Sequence, residues 1–270
     1  MRRLKLYLAR AGVFFFALAG LPSLAWADYV TLIPARDTTL IEVAPDRNNG
    51  GEAWFNAGTT QNGKRNRALL QFDFTSALPA NAVITSVDLS LEVTRVPGCG
   101  YAISPFSLRR MLVSWGEGDK IALDNAGGQG APATDGEATW NHRFVGGPAW
   151  SAPGGAPDDD FVDAASALGF IYGVGDSPYH FTGERMLGDV QDWVNNPLSN
   201  FGWIFMSNDE KTPFTARRFG AHESPDVPPV LTIGFEVVPE PGPLVLGGLG
   251  LVLLVACLHP KWRAFLCACL

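Results

Sequence analysis

The sequence predicts an all-β domain: a two-sheet β-sandwich with one short helix, lying between two apolar termini. Three observations predict it. Apolar residues alternate with polar ones at period two in several short segments, as on strands with one buried and one wet face. Turn formers are dense, with 30 Gly and 20 Pro in 270 residues, which favours many short strands over few long helices. A single segment carries helical spacing.

The elements follow in chain order. Arg2, Arg3, Lys5 and Arg10 form a cationic start, residues 11–21 are apolar, and Ala25 and Ala27 place small residues around Trp26. This is the pattern of a signal peptide over residues 1–27, cut by signal peptidase after Ala27. Leu70, Phe72 and Phe74 alternate with Gln71 and Asp73, predicting a strand. Residues 87–94 form the clearest strand, with Val87, Leu89, Leu91 and Val93 on one face and Asp88, Ser90, Glu92 and Thr94 on the other. Residues 116–136 and 146–160 are rich in Gly, Asp and Ala and predict long surface loops. Over residues 187–195, Leu187, Val190, Trp193 and Val194 recur at helical spacing, and Pro197 disfavours helical geometry just before it. Residues 203–206 predict a fully buried strand, and Leu231, Ile233, Phe235 and Val237 a last alternating one. Many short strands with turns between them point to a sandwich of residues 28–238.

The C-terminal segment, residues 239–270, has its own logic. Residues 242–258 carry no charge, and 17 residues at about 1.5 Å each span about 25 Å, the short end for a transmembrane helix. Lys261 and Arg263 follow and are expected to stay cytoplasmic while the domain is exported. Pro239, Glu240 and Pro241 stand immediately before the span. This order resembles the PEP-CTERM sorting signal of exosortase-bearing Gram-negative bacteria. The resemblance implies recognition by an exosortase, removal of the span, and delivery to the cell surface or extracellular matrix. The tail after Arg263 is apolar where that family is arginine-rich.

Charge and cysteine use bound the function. Residues 28–238 hold 14 of the Lys and Arg and 26 of the Asp and Glu, a net charge of about −12. Such a surface repels nucleic acid and anionic lipid, and it disfavours strongly anionic polysaccharides unless cations bridge them. Cys99 is the one cysteine between residues 28 and 238, so no disulfide forms within the domain. It is expected to be a partly buried small side chain.

Several segments form an ordered series: Asp37-Thr38-Thr39-Leu40, Asn48-Asn49-Gly50-Gly51, residues 67–74, Trp115-Gly116-Glu117-Gly118, Ala138-Thr139-Trp140-Asn141, residues 189–194, Gly202-Trp203-Ile204 and residues 219–224. The series resembles the DNRLRE domain, grouped with carbohydrate-binding module family 96, over about Thr31 to Phe235. The resemblance implies a jelly-roll-like β-sandwich of bacterial surface and secreted proteins, some attached to polysaccharide-degrading enzymes and some glycan-binding. It also places Trp115, Trp140, Trp193 and Trp203 in a shared framework, hence in packing. The chain departs from the pattern in a longer stretch over 117–139, a loop-rich run after Asn141, and a partial match over 219–224.

Candidate site residues are few. Asp37, Asn48 and Asn49 offer oxygens suited to a structural calcium ion; the same residue types also cap turns. Asp158, Asp159 and Asp160 are expected on a solvated loop. Tyr101, Trp150, Tyr172 and Tyr179 lie in loop-like surroundings and are candidates for stacking on sugar rings. His142, His180 and His222 match no metal spacing, and Glu117, Glu137 and Glu223 become paired carboxylates only if the fold joins them. There is no nucleophile elbow or phosphate loop. The expectation is a non-enzymatic, exported module that binds or organises polysaccharide. The alternatives are a structural matrix protein without a ligand and a polysaccharide-degrading enzyme such as a lyase.

Overall fold

A computed structural model of the protein describes residues 28–122 and 128–237. Within them the chain is built of antiparallel β-sheets with one α-helix. The expected cleavage residues Ala25 and Ala27, the span 242–258 and the motif Pro239-Glu240-Pro241 lie outside the described residues. Among the described residues no helix is long and apolar enough to cross a membrane.

The strands are β1 (Asp28–Leu32), β2 (Arg36–Ile41), β3 (Arg47–Asn48), β4 (Trp54–Thr59), β5 (Arg65–Gln71), β6 (Ala82–Leu91), β7 (Val93–Arg95), β8 (Ser104–Arg110), β9 (Ala131–Pro132), β10 (Ala167–Ile171), β11 (Tyr179–Phe181), β12 (Trp203–Ser207), β13 (Arg217–Gly220) and β14 (Val230–Val237). The small sheet runs β1-β14-β6-β11, and the large sheet runs β10-β8-β12-β5-β4-β13-β7 with β2 also on β5. β3 and β9 form a separate ribbon. β1 pairs with β14 from Asp28 opposite Phe235 to Leu32 opposite Leu231, so both ends of the described domain leave from one sheet.

The two sheets close over one apolar core. Val87, Leu89, Leu231 and Ile233 face it from the small sheet, and Phe55, Leu70, Phe106, Trp203, Phe205 and Phe219 from the large one. This is the sandwich that period-two alternation predicts. The helix α1 (Glu184–Asn195) sets Met186, Val190, Trp193 and Val194 into the same core. It starts three residues earlier than the spacing of Leu187 suggests, because Met186, not Leu187, leads the buried stripe.

The predicted strand 87–94 is two strands in different sheets. β6 ends at Leu91, and β7 pairs with β13 in the large sheet. Glu92 marks the crossover, its carbonyl accepting from the Gly220 amide. Alternation continues through the bend, so periodicity alone hides it.

The large sheet has a second core on its other face. Leu40, Leu69, Ile204 and Met206 point there, covered by Met111, Trp115, Ala138, Trp140, Trp150 and Phe161. This explains why β12 is buried at all five positions: Trp203 and Phe205 face one core, Ile204 and Met206 the other. It also corrects the expectation of a plain surface loop over 146–160. That segment carries buried Trp150, and Asp160 is not solvated. Asp160 is buried and accepts hydrogen bonds from the Ser151 and Ala156 amides and the Ser151 hydroxyl. Cys99 is exposed and free, not partly buried.

Candidate functional site

Two constellations emerge from segments far apart in sequence. The first gathers around Asp37. β2 carries Asp37 into the interior, where it is 2% exposed. The turn after Trp115 brings Glu117, whose Oε1 accepts the Asp37 amide at 2.7 Å. The end of β13 brings His222, whose amide donates to Asp37 Oδ2 at 2.7 Å. The His222 Nδ1 atom lies 3.4 Å from Asp37 Oδ2 and 3.5 Å from Glu117 Oε1, and Nε2 lies 3.1 Å from Glu223 Oε1. Asp37, His222 and Glu223 each offer one ligand atom within 4.8 Å of the others.

Asn48 and Asn49 do not join this cluster, which revises the calcium set Asp37, Asn48 and Asn49. Asn48 Oδ1 accepts the Gly50 amide, and its Nδ2 donates to the Glu117 and Ala138 carbonyls. Asn49 Oδ1 accepts the Thr39 amide. Both side chains are buried, their carbonyl oxygens committed to backbone amides, so they shape loops behind the cluster. Gly50 is needed there: a Cβ would stand 2.5 Å from the Glu117 carbonyl oxygen.

Four titratable groups crowd one spot, and all shift in one direction. Burial raises Asp37 and Glu223, and it raises Glu117 to about 7. The Asp37 carboxylate beside its ring raises His222. A group whose folded pKa lies above its unfolded value contributes stability that is present at low pH and lost as pH rises through the folded pKa. Glu117 moves from 4.5 to about 7, so its contribution is lost between those values. In the presence of a chelator, unfolding stability should therefore rise by about 1–2 kcal/mol, after allowance for partial exposure, and the melting temperature with it, as pH falls from 8 to 5.5. Below about pH 4 it should fall again. Arg65 holds the Glu42 carboxyl below its ordinary range, and that pair is lost on protonation. A thermal melt series across pH checks this; stability that climbs steadily from pH 5.5 to 8 contradicts it.

The second constellation is aromatic. Tyr101 and Tyr172 stand 5.2 Å apart by ring centroid. Tyr172 is about half exposed, and it continues an outward row from Leu168 and Phe170 on edge strand β10, which are more than half exposed. Ile103, on the neighbouring chain before β8, is likewise exposed. Tyr179 sits below: its hydroxyl donates to the Gly173 carbonyl and accepts from the Tyr172 and Gly173 amides. It props the loop and does not present a free face. Arg217 lies beneath Tyr101, 5.2 Å from the ring centroid, and is 1% exposed. Arg217 also lines a cleft of about 400 Å³ with Asn56, Asn62, Lys64, Arg95 and Arg218.

Of the four aromatic candidates, Tyr101, Tyr172 and Tyr179 come together. Trp150 is elsewhere: it is 5% exposed in the second core and donates Nε1 to the Thr139 carbonyl. A glycine- and proline-rich neighbourhood made it look superficial, but a buried acceptor and a tryptophan-rich neighbourhood hold it inside. His142 and His180 stay apart from the Asp37 cluster, and Glu137 pairs with Lys120 instead. The cluster partners of Asp37 lie 80 and 185 residues away. The only sequence trace of them is two short strings, Trp115-Gly116-Glu117-Gly118 and His222-Glu223. No protein-family model matches the chain, and no curated protein matches it.

Proposed function

We propose that the chain is an exported, non-catalytic β-sandwich of the jelly-roll kind that binds or organises polysaccharide at the surface of a Gram-negative bacterium. Its sorting runs through signal peptidase at Ala27 and an exosortase reading Pro239, Glu240 and Pro241. The observation that carries the binding half is the exposed pair Phe170 and Tyr172, with half-buried Tyr101 packed against Tyr172. Aromatic faces supply apolar area without a bulky charge, and a sugar ring offers an apolar C–H face to stack on them. The adjacent cleft supports the reading, since its amides and guanidinium groups are donors for sugar hydroxyls. In a domain of about −12, neutral or cation-bridged glycans suit this face best.

The test is a glycan array probed with the mature exported protein, together with the matrix polysaccharide of its own host. Retention on neutral or mixed polysaccharides supports the reading. Silence across all of them leaves the structural matrix role. One observation favours an enzyme as the second reading: Glu117, held near neutrality beside His222, has the poise of an acid–base group. Release of new reducing ends or unsaturated products from host polysaccharide, abolished by Glu117→Gln, would replace the binding role with that one.

A further inference from the structure

We propose that His222, Asp37 and Glu223, with Glu117 beside them, form a binding site for one divalent cation of the zinc class. The site does not depend on glycan binding.

His222 Nδ1 is one of three buried side-chain nitrogens without a hydrogen-bond partner among the described residues; the others are Trp193 Nε1 and Arg218 Nε. Of the three, only the imidazole nitrogen can present a lone pair. Its nearest carboxylate oxygens, on Asp37 at 3.4 Å and Glu117 at 3.5 Å, make no hydrogen bond with it. Glu223 Oε1 stands 3.1 Å from the other ring nitrogen, Nε2, within reach of a hydrogen bond from its N–H. In the neutral ring with its proton on Nε2, the Nδ1 lone pair faces the Asp37 and Glu117 carboxylates, and a cation between them would serve all three.

Among the described ion pairs, none joins Asp37, Glu117 or Glu223 to a lysine or arginine. Asp37 is almost wholly buried, and a buried carboxylate is costly unless paired or coordinated. Its Oδ2 and Glu117 Oε1 are each aimed by a backbone amide, which orients them and leaves a lone pair for an ion. The ligand atoms of Asp37, His222 and Glu223 lie within 4.8 Å of one another. Ligand atoms on a tetrahedral ion with bonds of about 2.1 Å stand about 3.4 Å apart, so modest side-chain rotations bring the three onto one ion. His222, Glu117 and Glu223 are each partly exposed, which gives an ion a way in.

The donor set selects the class. Calcium and magnesium prefer all-oxygen shells, and the amide oxygens that would complete one, on Asn48 and Asn49, are committed to backbone amides. One imidazole with two or three carboxylates suits zinc and its neighbours.

The experiment uses the purified full chain, stripped with chelator and dialysed against zinc, manganese, calcium or magnesium chloride. The expected result is one zinc per chain and a melting temperature higher by roughly 5 °C at a hundredfold excess over Kd. Calcium and magnesium should be at least tenfold weaker. Glu223→Gln and His222→Gln should each weaken zinc by roughly tenfold or more. Glu223 is surface-accessible, so its variant keeps the test interpretable if His222→Gln folds poorly. His180→Gln removes an exposed pair with Asp88 and should leave zinc uptake unchanged. Absence of zinc uptake, equal or tighter calcium binding, or full zinc uptake by Glu223→Gln would each overturn the proposal.

Discussion

Trp203→Ala is expected to lower unfolding stability by about 5 kcal/mol, enough to unfold the domain at moderate temperature. Trp203 is completely buried on central strand β12. Its ring stands 4.6 Å from Trp193 on the helix and 6.1 Å from Phe72, joining helix and large sheet through one side chain. Removing a tryptophan from such a site forfeits its transfer energy and opens a cavity that rigid neighbours cannot fill, about 3–5 kcal/mol. A second loss adds to this. Trp203 Nε1 donates to Asp189 Oδ2 at 2.9 Å, and burial already raises the Asp189 pKa. Without the indole, Asp189 keeps Ser166 and a longer approach from Arg110, 3.6 Å away. Trp203→Phe separates the two losses, since it keeps most of the volume and removes the donor. Denaturant melts of the three proteins check the order; a Trp203→Ala loss under about 2 kcal/mol would contradict this view of the core.

Arg217→Met should cost about 3–5 kcal/mol although methionine fills similar space. Arg217 is buried without a carboxylate partner among the described ion pairs. Its guanidinium is satisfied by four backbone carbonyls: Tyr172 at 2.8 Å, Phe214 and Ala216 at 3.1 Å each, and Ala102 at 2.7 Å. Burial lowers its pKa, as it must for a cation held among dipoles alone. An apolar replacement strands those carbonyls, and each unsatisfied buried acceptor costs about 1–3 kcal/mol. Arg217→Lys should recover only part of the loss, because an ammonium cannot reproduce the planar fork. The same change should loosen residues 101–103 and 172–173, so glycan affinity is expected to fall with stability. A variant as stable as wild type would show that these carbonyls find other donors.

How legible this molecule is from sequence depends on distance along the chain. Local alternation identifies β6 and β14, because the side-chain period of a strand is written in neighbouring residues, but it misplaces β5, which ends at Gln71 while the buried Phe72 and Phe74 carry the alternation on past the strand. The apolar run 203–206 identifies β12, buried on both faces. The bend at Glu92 escapes notice because the alternation of Val87 through Val93 crosses it unbroken. Trp150 is misplaced for a related reason: composition around it is that of a loop, and a loop covering a sheet face has the same composition as one in water. The cluster of Asp37, Glu117, His222 and Glu223 is least legible of all. Two strands, β2 and β13, and the turn after Trp115 must be in place before those side chains meet, and no local pattern encodes that meeting. Asn48 and Asn49 next to a glycine pair show the converse. They look like ligands because cation loops and capped turns use the same residues.

Polysaccharide binding at the Tyr172 face is decided by comparing the mature protein with its Tyr172→Ala variant on the polysaccharide it retains best. Tyr172 is about half exposed and packs on Tyr101, so its truncation should leave the melting temperature nearly unchanged. The variant's affinity should be at least about tenfold weaker, about 1.4 kcal/mol. Undiminished affinity in a folded Tyr172→Ala protein would contradict it.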